Sequence, residues 1–574
     1  MSNIHNLYEL WKKETACDKE LYQELVDIEG NESEIEDRFY KSLEFGTAGL
    51  RGVLGAGTNR MNIYTVNQAT QGLADYLNSA FENPSVAIAY DSRINSDVFA
   101  KSAAGVLAAN NIKVYIYKEL MPTPILSFAV RRLSCKSGII ITASHNPSKY
   151  NGYKCYDPNG YQMTDEAAKK TYEFIQRTDI FNDVKTMDFE KAVEANLVEY
   201  ISDEITNEFY DKVRLQSVLS PEDCKKADLK VIYTPLNGAG NKPVRNILKS
   251  VGIDNITVVA SQENPDGKFP TCPYPNPEIR QVFEEAIDLS KTVGGDLLLA
   301  TDPDCDRVGI AVLHDGEYKL MNGNEIGAML ADFVLSRRKE LGTLPENPII
   351  LKSIVTSKII EKIAENYGCT VNNLLTGFKY VGEFITNLES NGEENRFVLG
   401  MEESYGYLAG THDRDKDAVV ASMLICEMAA YYKLKGMTLI DFMESIYKKY
   451  GMYCNTLSNF VFEGMEGMEK MQQIMSDLRA NPPKTVADAK VVEISDYKSG
   501  EKFDTITQNK TKIDLPSSNV LSYSLENGYL AIIRPSGTEP KIKLYVTTCG
   551  ETRDEALASA DKITEDFKAI LKLQ

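Results

Sequence analysis

Histidine, paired cysteine and long apolar runs are all scarce in this sequence. Only four histidines occur in 574 residues, and one of them, His145, stands beside a serine in a polar turn rich in Asn, Pro and Gly. The ten cysteines include no Cys-x-x-Cys pair, and Cys369 and Cys426 lie inside apolar runs. That usage suits reduced, scattered, mostly buried thiols and a cytoplasmic location. Cys155 and Cys305 adjoin suggestive loops but read as bystander thiols. No apolar run approaches the ~18 residues that suggest a membrane span. The N-terminus, MSNIHNLYELWKKETACDKE, is polar and carries acids, so it is not a secretory signal. Positive charge is in deficit: 63 Lys and Arg against 83 Asp and Glu, a net charge of −20. Such a surface disfavours nucleic acid and anionic membranes, so an anionic substrate would need local basic loops. Three motifs are missing as well. There is no Gly-x-Ser-x-Gly elbow and no Gly-x-x-x-x-Gly-Lys-Ser/Thr loop, and Asn237–Gly240 lacks the rest of a dinucleotide fingerprint.

The chain is 43% hydrophobic and 25% charged, ordinary for a globular protein with several cores. At roughly 100–200 residues per domain its length suggests three to five domains. The first forty residues carry helical spacing in NLYELWKKE and KELYQELVDIE. From about residue 84, buried strands alternate with amphipathic helices: SVAIAYDSR, SDVFAKSAAGVLAANN, KVYIYKEL, TPILSFAVRRL, SGIIITASHNP. The alternation recurs from DLKVIYTPLNGAG to GDLLLATDPDCDR, and again from PIILKSIVT through RFVLGMEESYGY to a long helix near Lys416. It predicts an α/β fold of three similar units with mainly parallel, mixed sheets. SDLRANPPKTVADAK reads as a surface connection, and the strand-like runs after it predict a smaller C-terminal α+β domain. The expected domains are 1–210, 211–320, 321–452 and 453–574.

Four loops directly follow apolar strands, where parallel α/β sheets bind ligands. The first holds Thr142-Ala143-Ser144-His145-Asn146-Pro147, with Lys154 ten residues beyond Ser144. A serine hydroxyl needs a base or an electrophile to act as a nucleophile, and alone this stretch also reads as turn chemistry. The second, LLLATDPDCDRVGI, places Asp302, Asp304 and Asp306 at alternate positions. Three adjacent carboxylates repel unless a hard divalent cation such as Mg²⁺ joins them. Arg307 and Leu313 stand where a calcium-binding EF-hand needs Gly and Glu, so that reading is rejected. The spacing DCDRV also fits an aspartate-nucleophile phosphatase. The third loop offers Glu402, Glu403 and Ser404 as partners for sugar hydroxyls, or as a surface acidic turn. The fourth, with Arg534, Ser536, Gly537 and Thr538, suits a phosphate cradle or an ordinary turn between strands.

Taken together, TASHNP with Lys154, DPDCDR, GMEESYG and RPSGTEP resemble the four motifs of the α-D-phosphohexomutase superfamily, in that family's order. The stretches FGTAGLRG, YDSR, PNPE and TGFKYVG agree, so the resemblance covers nearly the whole chain. Length and N-terminus look most like the branch containing phosphoglucomutases and phosphopentomutases. The resemblance implies three α/β domains and a smaller α+β domain around a central cleft. It implies that Ser144 carries a phosphoryl group, gives it to a sugar monophosphate, and recovers another from the resulting 1,6-bisphosphate. Mg²⁺ would be held by Ser144, Asp302, Asp304 and Asp306, one ion per active site. Lys154 matches the acid/base position, with His145 as an auxiliary, and Arg51 and Arg307 contact the phosphoryl group. Thr376 and Gly377 match a sugar-contacting turn, with Lys379 and Lys416 adding positive charge there. Glu402 and Ser404 would grip sugar hydroxyls, and Arg534, Ser536, Gly537 and Thr538 the phosphate that does not transfer.

The implied reaction interconverts α-D-glucose 1-phosphate and glucose 6-phosphate, with glucose 1,6-bisphosphate as intermediate and activator. The Glu-Glu-Ser form of the third loop favours glucose over mannose by resemblance. A phosphomannomutase, a phosphopentomutase, an aspartate-nucleophile sugar phosphatase and a non-catalytic sugar-phosphate sensor stand as alternatives. The expected partner is a hexose phosphate, without nucleic acid or membrane, in a monomer or weak homodimer.

Overall fold

The computed structural model describes residues 2–46, 49–462, 464–536 and 541–572. They divide into two compact units. One comprises residues 1–321, 381–397 and 405–438; the other comprises 322–380, 398–404 and 439–574.

The first unit contains two mixed sheets. In one, the apolar runs Ser85–Tyr90, Lys113–Ile116 and Ser137–Ile141 pair in parallel. Helix Ser96–Ala109 packs on all three. Its small buried residues, Ala100, Ala103, Ala104 and Gly105, let it approach closely. After Ser137–Ile141 the chain turns straight back instead of crossing over. Tyr150–Tyr156 pairs antiparallel with it, and Gly49–Val53 pairs antiparallel with Tyr150–Tyr156. That register sets Lys154 opposite Ile140 on one side and Gly49 on the other, with Arg51 opposite Gly152.

The second sheet repeats the device. Val231–Thr234, Ile256–Val258 and Leu297–Thr301 are parallel. The chain then reverses through residues 302–307 into Val308–His314, with Thr301 opposite Val308. The Ser144 loop and the aspartate loop are therefore both tight reversals between a strand and its antiparallel neighbour. Three N-terminal helices form a separate cluster around Trp11, whose ring meets Phe39, Tyr64 and Phe181 edge-on. Helix Ala418–Leu434 is buried over most of its length and begins at Asp417, whose side chain accepts from the Val419 and Val420 amides.

In the second unit, Ile349–Ser353 and Thr370–Leu374 pair in parallel. Asn322 and Glu325 form a capping box that starts helix Gly323–Glu340. The C-terminal part is an antiparallel sheet on which helices Gly464–Ala480 and Arg553–Ile570 pack. This corrects the reading of SDLRANPPKTVADAK as connection. Ser476–Ala480 closes helix Gly464–Ala480, because Met471, Ile474, Met475 and Leu478 recur at helical spacing and are buried. No helix among the described residues is long and apolar enough to cross a membrane.

Candidate active site

Ser144 is held by the turn before it and by an arginine from the loop that follows the neighbouring strand. Its backbone is left-handed, φ 52°, a conformation that costs a side-chain-bearing residue energy unless its surroundings enforce it. The Ser144 amide donates to Thr142 Oγ1 at 2.8 Å, and the Thr142 hydroxyl donates to Asp91 Oδ2 at 2.6 Å. Arg93, buried with its charge, donates to the carbonyls of Ser144 at 2.5 Å and of Pro147 and Tyr150 at 3.0 Å. It also donates to Asn146 O. Its guanidinium lies over the Phe269 ring at 5.1 Å. Burial pushes the Asp91 carboxyl up, and Arg93 and Thr142 oppose that shift.

The aspartate loop meets this turn. Asp302, Asp304 and Asp306 are buried, with one oxygen from each within 4.8 Å of the others. Asp302 Oδ1 accepts the amides of Asp306 and Arg307, at 3.1 and 2.9 Å. Asp302 Oδ2 accepts the Ser144 hydroxyl at 2.9 Å. Asp304 Oδ2 accepts Lys154 Nζ at 2.8 Å and the Thr123 hydroxyl at 3.0 Å. Asp306 Oδ2 pairs with Lys416 Nζ at 3.1 Å. Burial and the two neighbouring aspartates push the Asp302 carboxyl well above the carboxylate range. Burial also acts on Asp304, but the Lys154 ammonium overcomes it and holds that carboxyl well below the range.

Among the described residues, Asp304 Oδ1 and Asp306 Oδ1 are buried without a hydrogen-bond partner. Two such oxygens beside Asp302 and a serine hydroxyl form an all-oxygen set that fits Mg²⁺. Cys305, between them, adopts φ 52°, so the loop is bent where the carboxylates converge. Gly238 of the Asn237–Gly240 turn lies beneath it. A Cβ there would stand 2.4 Å from Pro303 Cα, and the Ala239 amide donates to Pro303 O at 2.8 Å. The glycines of that turn thus support the aspartate loop by close approach.

His145 Nδ1 is 3.1 Å from Ser144 Oγ. Removal from water pushes the imidazole well below its ordinary pKa, and Arg307 and Arg51 push the same way, so the ring is neutral at pH 7. Arg307 donates to Glu278 Oε1 at 2.8 Å. Arg51 is exposed and reaches Asn146 Oδ1 at 3.4 Å. Lys416, grouped with the Thr376 turn in the sequence reading, ends on the aspartate loop. Gly406 lies against its aliphatic stem, where a Cβ would stand 2.1 Å from Lys416 Cδ.

The remaining expected residues belong to the second unit. The Gly377 amide, in a turn at φ 123° that favours glycine, donates to Glu402 Oε1 at 2.7 Å. The turn of Thr376 and Gly377 is thereby joined to the Glu402 loop. Glu403 Oε2 accepts the Ser353 hydroxyl at 3.0 Å. Removal from water and the neighbouring Glu402 push the Glu403 carboxyl up to about 7. Lys379 lies over the Tyr380 ring at 5.1 Å. Burial and the nearby Glu403 push the Tyr545 phenol up, and the Arg534 guanidinium opposes that shift. The Ser536 amide donates to Lys541 O at 2.8 Å. Ser404 is partly exposed, and Gly537 and Thr538 lie outside the described residues.

Sequence reasoning assigned no role to Asp91, Arg93, Thr123 or Glu278. YDSR and PNPE carried the signal for three of them, an acid and a guanidinium directly after a strand and an acid in a proline turn. Thr123 carried none. Cys155 and Cys305 are buried and burial pushes both thiols up, in keeping with bystanders.

Residues 42–180, 207–316 and 322–450 match the phosphoglucomutase/phosphomannomutase alpha/beta/alpha domains I, II and III. A phosphoglucomutase of Staphylococcus aureus is 36% identical over 543 residues, covering 94% of this chain and 95% of its own. The chain belongs to the phosphoglucomutase/phosphomannomutase family. A phosphoglucomutase of Staphylococcus saprophyticus is 36% identical, covering 96% of each chain. The family is one of isomerases that transfer a phosphoryl group. The fold agrees with two solved members at low identity. The parafusin phosphoglucomutase of Paramecium superimposes with a TM-score of 0.66 at 17% identity, over 93% of this chain and 96% of its own. A family protein of Burkholderia thailandensis gives 0.65 at 17%, over 92% and 97%.

Proposed function

We propose that this chain is a Mg²⁺-dependent mutase that interconverts α-D-glucose 1-phosphate and glucose 6-phosphate. One observation carries the proposal: the Ser144 hydroxyl, on a left-handed turn, is hydrogen-bonded into a cluster of three buried carboxylates. The 36% identity to curated phosphoglucomutases over almost the full chain supports the choice of substrate.

In this reading Ser144 carries the phosphoryl group. A sugar hydroxyl attacks phosphorus, the P–Oγ bond breaks, and the hydroxyl proton passes to a base. The bisphosphate then presents its other phosphate, Ser144 Oγ attacks that phosphorus, and the bond from it to the sugar oxygen breaks as that oxygen takes a proton. Mg²⁺, when bound by Asp302, Asp304, Asp306 and the Ser144 oxygen, would neutralise the negative charge that develops. Lys154, held at Asp304, is the proposed proton carrier. Neutral His145 lies within hydrogen-bond reach of Ser144 Oγ. Arg93 and Asp91 fix the loop so that Oγ is presented in one orientation. Arg307, steadied by Glu278, and Arg51 contact the transferring phosphoryl group, and Lys416 completes the basic side of the aspartate loop. Glu402 and Ser404 take sugar hydroxyls, with Thr376, Gly377 and Lys379 at the neighbouring turn. Arg534, Ser536, Gly537 and Thr538 take the other phosphate. Glucose 1,6-bisphosphate is the proposed intermediate and activator. The four domains keep the boundaries 1–210, 211–320, 321–452 and 453–574, and the protein is a cytoplasmic monomer or weak homodimer.

Peptide mass spectrometry of the purified protein is expected to find phosphate on Ser144, and Ser144→Ala to lose turnover while staying folded. Full conversion of glucose 1-phosphate by that variant would overturn the reading. An assay separating glucose 6-phosphate from free phosphate distinguishes it from an aspartate phosphatase.

A further inference from the structure

We propose that His412, Asp413 and Asp417 form a second metal site, structural rather than catalytic, for a divalent d-block cation, of which Zn²⁺ fits best. All three are buried, and one ligand atom from each lies within 4.8 Å of the others. His412 Nε2 faces both carboxylates, at 2.9 Å from Asp417 Oδ2 and 3.8 Å from Asp413 Oδ1. Tetrahedral ligands at about 2.1 Å from zinc stand about 3.4 Å apart, between those two distances.

The second observation is Asp413 itself. Its side chain is fully buried, and among the described residues neither carboxylate oxygen has a hydrogen-bond partner. The two nearby guanidiniums are occupied elsewhere. Arg131 donates to the carbonyls of Thr411 and His412 and to Glu389; Arg414 donates to Thr411 O, Asp413 O, Thr386 and Glu389. A buried carboxylate left with bare lone pairs is costly, and a cation shared with His412 and Asp417 would satisfy it.

The donor set separates this site from the aspartate loop. An imidazole nitrogen with two carboxylates suits zinc and its neighbours, whereas Mg²⁺ prefers oxygen alone. The site would sit at the entry to helix Ala418–Leu434, with Asp417 as both cap and ligand. It would pin residues 412–417, which carry Lys416 to Asp306.

The test uses the full chain in millimolar Mg²⁺, which saturates an oxygen-only site. After Zn²⁺ loading and gel filtration, elemental analysis is expected to find one retained zinc per chain. Retention should fall at least tenfold in His412→Gln and in Asp413→Asn, and persist in Asp302→Asn. Cobalt loaded in place of zinc should give a paramagnetically shifted histidine N–H signal that His412→Gln abolishes. That measurement on the unmutated fold covers the case in which a variant fails to fold. Zinc absent from the wild type, retained equally in His412→Gln, or lost with Asp302→Asn would overturn the proposal.

Discussion

Arg93 Nη2 lies 2.5 Å from the carbonyl oxygen of Ser144, a residue 51 positions away in sequence. The same guanidinium binds the carbonyls of Asn146, Pro147 and Tyr150, so one side chain sets the path of the whole loop. Lysine keeps the charge but cannot reproduce a planar fork that serves four acceptors. Arg93→Lys should lower kcat by about 100-fold, the cost of misplacing a reacting group, with KM changed only a few-fold. Steady-state kinetics on the folded variant check this. Unchanged kcat alongside a lower Tm would reduce Arg93 to a structural role.

Removing divalent cations should abolish turnover and also loosen the protein. A cation held by three buried carboxylates with two unpartnered oxygens would bind the folded state only. Mg²⁺ at about 100 times its Kd would add about 2.7 kcal/mol of stability. Thermal unfolding with EDTA and with Mg²⁺ measures the shift, and Asp304→Asn should shrink it. A Tm indifferent to Mg²⁺ would count against a cation at this loop.

Glu403 predicts how stability changes with pH. Its carboxyl is pushed up from 4.5 to about 7 by removal from water and by Glu402. The folded state therefore binds a proton that the unfolded chain releases between those values. Stability should fall as pH rises from 4.5 to 7 and level off above. Glu403→Gln mimics the neutral form and should flatten that slope, leaving the variant about 1–2 kcal/mol more stable than the wild type at pH 8. Urea unfolding between pH 5 and 8 is the measurement, and an unaltered slope in the variant would refute the assignment.

Gly238→Ala should act on the aspartate loop without touching a carboxylate. The new methyl would meet Pro303 Cα and its carbonyl oxygen, at 2.4 and 2.7 Å from the Cβ position. Overpacking of this kind costs about 1–3 kcal/mol. The expected outcome is a lower Tm and at least a tenfold loss of kcat. Wild-type kinetics in this variant would mean that the loop tolerates displacement.

The strands and helices of the α/β units were legible because each is a short apolar run or a 3.6-residue pattern of the right length. Ser144, Lys154 and the three aspartates were legible from four loops taken together. What escaped the reading was pairing across distance. Nothing local to YDSR says that Arg93 reaches over fifty residues to hold a serine carbonyl. Nothing in TPILSFAVRRL says that Thr123 caps Asp304. The left-handed backbone at Ser144 and Cys305 was equally hidden, because neither residue type announces it. The last turn of helix Gly464–Ala480, Ser476–Ala480, was read as connection because a proline pair follows it, although Met471, Met475 and Leu478 carry the period.

Ser144 holds a backbone angle that glycine or asparagine adopts at less cost. The backbone alone would favour either of them, and the proposed role of Ser144 as phosphoryl carrier is what calls for a hydroxyl there. If a lineage ceased to depend on turnover, drift at this position should run toward those two residues. Glycine or asparagine at the equivalent of Ser144 would then mark descendants that retained the scaffold and abandoned the reaction.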